Sequence, residues 1–172
     1  MHIGQIQDNK QFLKYALTYL EIARDALTHT DDKWQYPLLA YEQASIYFQF
    51  EDFEAAASWY QQSLGEAERM TSPQYVVIAQ HGLGLAQARL EDYASARHNL
   101  YAALKHWDGF KNSYEKASVL AGLADLELRA NDYRLAKYYI EEGLQCAKQI
   151  QDQNRREFIQ EQFQDILDRL IS

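Results

Sequence analysis

Histidine, cysteine and paired carboxylates are the side chains in this sequence that could bind a metal or carry catalysis. The five histidines are His2, His29, His81, His98 and His106. No two of them stand at a metal-ligand spacing such as i and i+4. Cys146 is the single cysteine, so neither an internal disulfide nor a cysteine-based zinc site can form. Its sulfur could be a small buried apolar group or a reactive thiol, and the pattern favours the first.

Two short patterns are similar to nucleotide-binding or catalytic motifs. Gly82-Leu83-Gly84 matches the start of a dinucleotide-binding loop, but Gln87 stands where the third glycine belongs, so the pattern favours close helix packing. The acidic pairs at 51–52 and 141–142 have no neighbouring nucleophile and favour a helix cap and a solvated helix face. We therefore expect a protein that is not an enzyme, with no catalytic residue, no cofactor and no metal.

Arginine recurs at one position of the sequence. Counting forward from Gln49 in equal steps gives Arg89, Arg129 and Arg169. A row of guanidinium groups could bind the carboxylates of an acidic peptide with bidentate geometry. Each arginine also stands near the C-terminal end of a predicted helix, where the helix dipole favours a cation by about 0.3–1 kcal/mol. The two interpretations are compatible, and the sequence leaves both open.

A 40-residue repeat positions these arginines. Segments 50–56, 90–96 and 130–136 align without gaps, and each contains an acidic residue, an aromatic residue and an alanine. Apolar residues on both sides of each segment recur every three or four positions, which predicts two α-helices per unit. The residues Asp52, Asp92 and Asp132 directly precede the second helix. We expect each of them to cap that helix, which contributes about 1 kcal/mol.

The repeat predicts eight helices in a single domain that spans residues 1–172. The predicted parts are an N-terminal half-unit at 9–29, three repeats at 35–70, 75–110 and 115–150, and a capping helix at 154–171. Small residues recur where the two helices of a pair are expected to cross. These are Ala44, Gly84 and Ala124 on the first helices, and Ala56, Ala96 and Ala136 on the second helices.

Composition agrees with an all-α protein and excludes several functions. The chain has only two prolines and seven glycines, too few for the many turns of a β-sandwich or barrel. Its net charge of −8 argues against a nucleic-acid duplex as the partner, because phosphate binding needs a basic face. No apolar run approaches the roughly 20 residues of a membrane span. Together with the single cysteine, these features favour the reducing cytoplasm.

The pattern resembles the tetratricopeptide repeat family. The resemblance covers residues 9–171 and is carried by Leu83-Gly84, Ala86, Asp92-Tyr93, Ala96, Leu100 and Ala103-Leu104. The 40-residue step is similar to that of the long-repeat subclass. The resemblance implies a right-handed α-solenoid of helix pairs whose first helices line a concave groove for a protein partner. The lysine and asparagine clamp of chaperone-binding members is absent, which argues against a chaperone-tail function.

The resemblance and the 40-residue alignment together predict a partner-binding groove. Its predicted residues are Tyr41, Ser45, Phe48, Gln49, Ile78, His81, Leu85, Arg89, Asp125 and Arg129. Such a groove suits a peptide or helix with acidic and apolar side chains. The leading hypothesis is a non-catalytic adaptor. The alternatives are a secretion-type chaperone, the sensor or scaffold portion of a larger regulator, and a homo-oligomer.

Overall fold

The computed structural model describes residues 3–30, 33–108 and 113–171, and these residues are almost entirely α-helical. The helices are α1 (Ile3–Thr28), α2 (Tyr36–Gln49), α3 (Phe53–Arg69), α4 (Pro73–Arg89), α5 (Tyr93–Asp108), α6 (Ser113–Arg129), α7 (Tyr133–Ala147) and α8 (Gln153–Ile171). A 3-10 turn, Lys33–Gln35, precedes α2. No strand occurs in these described ranges. The predicted all-α class and the predicted number of helices are therefore confirmed.

Aspartate residues cap the second helices, as the sequence predicts. The carboxylate of Asp52 accepts a hydrogen bond from the backbone N–H of Ala55 at 3.1 Å. Asp92 and Asp132 do the same three residues ahead, at 3.2 Å and 3.0 Å. Each bond satisfies a backbone donor that has no partner inside its own helix. Asp152 caps α8 in the same way at 2.9 Å, which the repeat alignment did not predict.

The turns before the capped helices reverse the chain in very few residues. Glu51, Glu91 and Asn131 take the left-handed backbone conformation, with φ between 61° and 63°. The backbone N–H of the following aspartate then bonds to a carbonyl oxygen of the preceding helix, as Asp52 does to Tyr47 at 3.0 Å. This arrangement is the Schellman motif, which satisfies the free carbonyl groups at a helix end. It explains why helices joined by only three residues lie antiparallel.

The packing divides the chain into two compact units. Unit 1 is Met1–Ala86 and unit 2 is Gln87–Ser172, so the boundary lies inside α4. In unit 1, α2 packs against α3 and α1 packs against α2. The core of this unit consists of Ala44, Ala56, Tyr60, Leu64, Ala79, Leu83 and Ala86. Ala44 and Ala56, the small residues expected at a helix crossing, are completely buried.

In unit 2, α6 is the central helix. It packs against α5, α7 and α8, and α8 also contacts α7. The largest fully buried side chains of this unit are Leu100, Val119, Leu123, Leu126, Glu127, Ile140, Ile159 and Phe163. All but one of them are apolar, and the exception, Glu127, is held by a partner described below. The crossing residues Ala96, Ala124 and Ala136 are likewise completely buried.

Helix bounds differ from the sequence expectation mainly at the N-terminus. The first helix begins at Ile3 rather than at residue 9, because residues 10–12, which align with the turn at 50–52, continue the helix. The last helix begins at Gln153, one residue from the expected start. The division into a half-unit, three repeats and a cap within a single domain stays a prediction.

Candidate functional site

The first-helix face of unit 1 begins on α2, where Tyr41, Ser45, Phe48 and Gln49 occupy successive turns. The Ser45 hydroxyl donates to the carbonyl oxygen of Tyr41 at 3.0 Å and lies 3.2 Å from the Tyr60 hydroxyl. Gln49 is exposed, and its amide lies 3.4 Å from the carbonyl oxygen of Ser45. Ser45 therefore ties α2 to α3, and Gln49 is the more accessible polar group of this face.

Two aromatic rings on α2 are shared between the core and the surface. The Tyr41 ring lies 5.4 Å from the Tyr60 ring, and the Phe48 ring lies 5.2 Å from the Phe53 ring. Both α2 rings pack against the core of unit 1 and remain partly exposed. Edge-to-face aromatic pairs of this kind add about 0.5–1.5 kcal/mol beyond simple burial. The rings are thus held in place and present a rigid apolar surface.

The same face continues on α4. Ile78, His81 and Leu85 stand three and four residues apart and are partly exposed, so they lie on one side of the helix. Gly82, between them, is buried beneath the Tyr60 ring, where an added Cβ would lie 2.3 Å from a ring carbon. Burial raises the pKa of the Tyr60 hydroxyl. Tyr60 therefore holds α2 and α4 together as a neutral side chain.

His81 carries a buried imidazole nitrogen. Its Nε2 atom is shut off from solvent and has no hydrogen-bond partner among the described residues. Burial lowers the pKa of His81 to about 4, because the surrounding protein disfavours the charged imidazolium. The side chain is therefore neutral at physiological pH and contributes an apolar edge to the first-helix face rather than a cation.

Replacing His81 with leucine is expected to remove part of the acid sensitivity of the fold. An unfolded chain protonates histidine near pH 6.5, whereas the folded protein has a His81 pKa of about 4. The unfolded state then binds more protons between these values, so the free energy of unfolding falls as the pH drops through this window. The slope is at most about 1.4 kcal/mol per pH unit.

Urea unfolding at a series of pH values from 7 to 4.5 measures this effect. As the pH falls over that range, the free energy of unfolding of His81→Leu should rise relative to that of wild type by about 2 kcal/mol. His98→Leu, at an exposed position of α5, is the matched control. If the difference in unfolding free energy between wild type and His81→Leu did not change with pH, the lowered pKa of His81 would be wrong.

In unit 2, two arginines of the predicted row converge on one carboxylate. The Nε of Arg129 donates to one oxygen of Asp125 at 2.7 Å. Arg169 on α8 donates to the other oxygen of Asp125, and its second terminal nitrogen lies 3.5 Å from Asp165. We call Asp125, Arg129 and Arg169 the arginine cluster. Arg89, the third arginine, lies partly exposed in the last turn of α4.

The electrostatics of the arginine cluster favour its ionised form. Burial of the Asp125 carboxyl raises its pKa, but the hydrogen bonds and charges of Arg129 and Arg169 outweigh burial and hold the pKa below its usual value. Asp125 consequently stays negative and orients both guanidinium groups. The sequence placed Asp125 and Arg129 on one face but did not predict their pairing. The repetition of Asp-x-x-x-Arg at 125–129 and 165–169 was the available signal.

Residues 75–149, which contain most of α4 and all of α5, α6 and α7, match the family model of the tetratricopeptide repeat. This segment is similar to tetratricopeptide repeats. Among curated proteins, none gives a significant match to it. Tetratricopeptide repeats are generally protein–protein interaction modules. Membership of the subclass with 40-residue repeats stays a prediction.

The tetratricopeptide segment contains a buried ion pair that the repeat did not predict. Arg97 on α5 donates to both oxygens of Glu127 on α6, through Nε at 2.8 Å and Nη2 at 2.6 Å. The Glu127 side chain is 0% exposed. Nearby, the hydroxyls of Tyr101 and Tyr139 are 2.7 Å apart, and burial together with this bond raises the pKa of Tyr139. The positions equivalent to Glu127 in the other two repeats hold Gln87 and Tyr47, so the repeat did not predict this ion pair.

A second polar contact precedes the tetratricopeptide segment, in unit 1. Arg24 on α1 donates to Glu66 on α3 at 3.1 Å, and its guanidinium lies over the rings of Tyr36 and Trp59 at 5.5 Å and 5.2 Å. Such cation–π contacts hold the arginine in place. Glu66 also lines a pocket of about 440 Å³ with Tyr36, Arg69 and Met70. The contact fixes α1 against the first tetratricopeptide-like helix pair.

The described residues contain neither a metal-binding cluster nor a membrane-spanning helix. Within them, no three side chains of histidine, cysteine, aspartate or glutamate come together in a way that could hold a metal ion. None of the helices in these ranges combines the length and hydrophobicity that crossing a membrane requires. The Cys146 sulfur, predicted to be buried or half-buried, is half-buried and lies 3.2 Å from the carbonyl oxygen of Ser113.

Proposed function

We propose that this protein is a non-catalytic interaction module that binds a peptide or helix of another protein on the faces of its first helices. The observation that carries the proposal is the orientation of Arg129 by Asp125. The absence of a catalytic role and a location in the cytoplasm are parts of the same proposal. The family supports the general function, and the residues below support the choice of surface and of partner chemistry.

Arg129 is suited to bind an acidic group. Asp125 contacts it through Nε, and among the described residues Asp125 is its side-chain partner, so the two terminal nitrogens face no other described acid. The Arg129 side chain is 29% exposed. A guanidinium presents two parallel N–H donors that match a carboxylate. Because Asp125 already fixes the side chain, less conformational entropy is lost when a carboxylate binds.

The first-helix face of unit 1 supplies the apolar part of the proposed recognition. It consists of Tyr41, Ser45, Phe48, Gln49, Ile78, His81 and Leu85. Packing against the core holds its aromatic rings, so they can bury a partner's apolar side chains with little reorganisation. Ser45 is engaged within the fold and Gln49 is exposed, so Gln49 is the proposed polar contact. Apolar side chains of a partner suit this face, and acidic side chains suit Arg129.

Selection of peptides from a display library with the purified chain, followed by affinity measurement, tests the proposal. We expect selected peptides to combine apolar residues with aspartate or glutamate. Arg129→Gln should weaken the selected peptide at least about tenfold, because hydrogen-bonded charge pairs at interfaces are worth about 2 kcal/mol or more. Phe48→Ala should weaken it by a similar factor.

Arg134→Gln is the matched control, because it removes the same charge from an exposed position on α7. Its affinity should stay within about twofold of wild type. Equal binding by wild type and Arg129→Gln would reject Arg129 as an anchor. A selection that enriches no peptide would reject the peptide-binding function itself. Thermal unfolding of each variant shows whether a lost affinity reflects a lost fold.

A further inference from the structure

Helix α1 exposes an unusual row of large apolar side chains. Phe12, Tyr15, Tyr19 and Ile22 are between 55% and 72% exposed. They stand three, four and three residues apart, which places them in one stripe along the helix with the spacing of a coiled-coil seam. We call these four residues the α1 stripe. The adjacent side of α1, which includes Leu13, Ala16 and Leu20, is half-buried.

The repeat shows which helix would normally cover this side. In three helix pairs, a side chain of the second helix bonds to the first helix of its own pair. The bonds are Ser63 to Pro37 at 2.7 Å, Asn99 to Gln87 at 2.8 Å, and Cys146 to Ser113 at 3.2 Å. Ser63, Asn99 and Cys146 align with Ala23, Tyr19 and Ala26 of α1, which lie one, two and three 40-residue steps earlier in the sequence. These positions border or belong to the α1 stripe.

The α1 stripe therefore lies where a second helix meets its own first helix. Residues 13, 16 and 20 of α1 align with Phe53, Ala56 and Tyr60 of α3, so α1 has the position of a second helix. Among the described residues, no helix precedes α1. The α1 stripe on this side is exposed.

We propose that the α1 helix of a second copy of the protein covers the α1 stripe, packed antiparallel so that the two stripes form a dimer interface. The stripe is self-complementary about a two-fold axis near Leu17. Phe12 of one copy then meets Ile22 of the other, and Tyr15 meets Tyr19. The isologous contact closes on itself and needs no further surface.

The area of the α1 stripe is sufficient for a specific dimer. With roughly 200 Å² for each fully exposed side chain of this size, the stripe exposes about 500 Å² per chain at its observed exposures. Two stripes together would bury about 1,000 Å², the lower limit for a specific interface. Aromatic residues dominate it, as they do in the energetic centres of interfaces.

The charges of α1 do not oppose the pairing. Lys14 and Glu21 are both exposed, and on the helix they lie away from the α1 stripe. The charged residues of α1 are Asp8, Lys10, Lys14, Glu21, Arg24 and Asp25. Their net charge is zero, so two α1 helices meet without the repulsion that a chain of net charge −8 would otherwise bring.

Pairing through the α1 stripe leaves the fold unchanged. The half-buried side of α1 packs against α2, and the Arg24–Glu66 bond holds it there. The stripe lies on a different side, so a second copy can dock without moving α1. This inference does not depend on the proposed peptide function, because it uses a different helix.

Sedimentation velocity of the full chain between about 1 and 200 µM tests the proposal. Wild type should shift from the 20.1 kDa monomer to a dimer over this range. Phe12→Ser with Tyr19→Ser should raise the dimer dissociation constant at least about tenfold. The matched control is Tyr133→Ser with Tyr138→Ser, which changes two equally exposed tyrosines of α7 and should leave the dimer intact. Circular dichroism confirms that each variant is folded.

A wild type that stays monomeric at about 200 µM would overturn the proposal, and so would a dimer that the Phe12 and Tyr19 changes leave intact.

Discussion

Replacing Arg97 with alanine is expected to lower the free energy of unfolding by about 3–5 kcal/mol. The change leaves Glu127 without its cation, and Glu127 is completely enclosed between helices. Two hydrogen bonds, at 2.8 Å and 2.6 Å, disappear with the guanidinium. A buried carboxylate that loses its partner must either remain charged in a poorly polarisable surrounding or take up a proton, and both are unfavourable.

Urea unfolding monitored by circular dichroism measures the Arg97 effect. Arg134→Ala removes an exposed arginine from α7 and should change stability by no more than about 0.5 kcal/mol. The double variant Arg97→Leu with Glu127→Leu should recover most of the loss, since apolar side chains can replace a buried ion pair. A loss below about 1 kcal/mol for Arg97→Ala would mean that the pair behaves like a surface salt bridge.

Replacing Gly143 with alanine is expected to destabilise the fold by about 1–3 kcal/mol. The new Cβ would lie 1.9 Å from Cζ of Phe163, whose ring is completely buried between α7 and α8. The ring must move, and because it is completely buried, its movement disturbs the side chains packed around it. The cost exceeds the roughly 1 kcal/mol by which alanine is normally preferred over glycine inside a helix.

Gly65 provides the matched control for Gly143, because it too lies inside a helix but an added Cβ there meets no atom within 4 Å. Gly65→Ala should therefore stabilise the protein by about 0.5–1 kcal/mol. Combining Gly143→Ala with Phe163→Leu should recover part of the loss, because the smaller side chain makes room. If Gly143→Ala stabilised the protein as Gly65→Ala does, the close approach of Phe163 to α7 would be wrong.

The sequence was sufficient for the helices and their ends. The 3.6-residue spacing of apolar side chains, and aspartates that cap backbone donors three residues ahead, act within one or two turns of the chain. Such short-range interactions recur wherever the same residues recur, so one 40-residue step predicted all three capped turns. The start of α1 was missed because residues 10–12 align with the turn at 50–52, whereas α1 continues through them.

The candidate site was only partly predictable. Arg129 and Asp125 were expected on one face, and their separation of four residues allows contact within a single helix. That Arg169 would bind the same carboxylate could not be read from the repeat. A repeat predicts only that equivalent residues have similar surroundings. Arg169 is equivalent to Arg129, and this equivalence does not predict that both contact Asp125.

The sequence by itself determined an all-α chain of repeated helix pairs, with its caps, its turns and its small residues at the helix crossings. Only the tertiary structure decided that Arg97 pairs with Glu127, that Tyr60 lies on Gly82, and that α1 leaves an aromatic stripe exposed. The physical reason is that these contacts join different helices. Whether two side chains meet there depends on the axial shift and rotation of each helix, which the whole core sets at once.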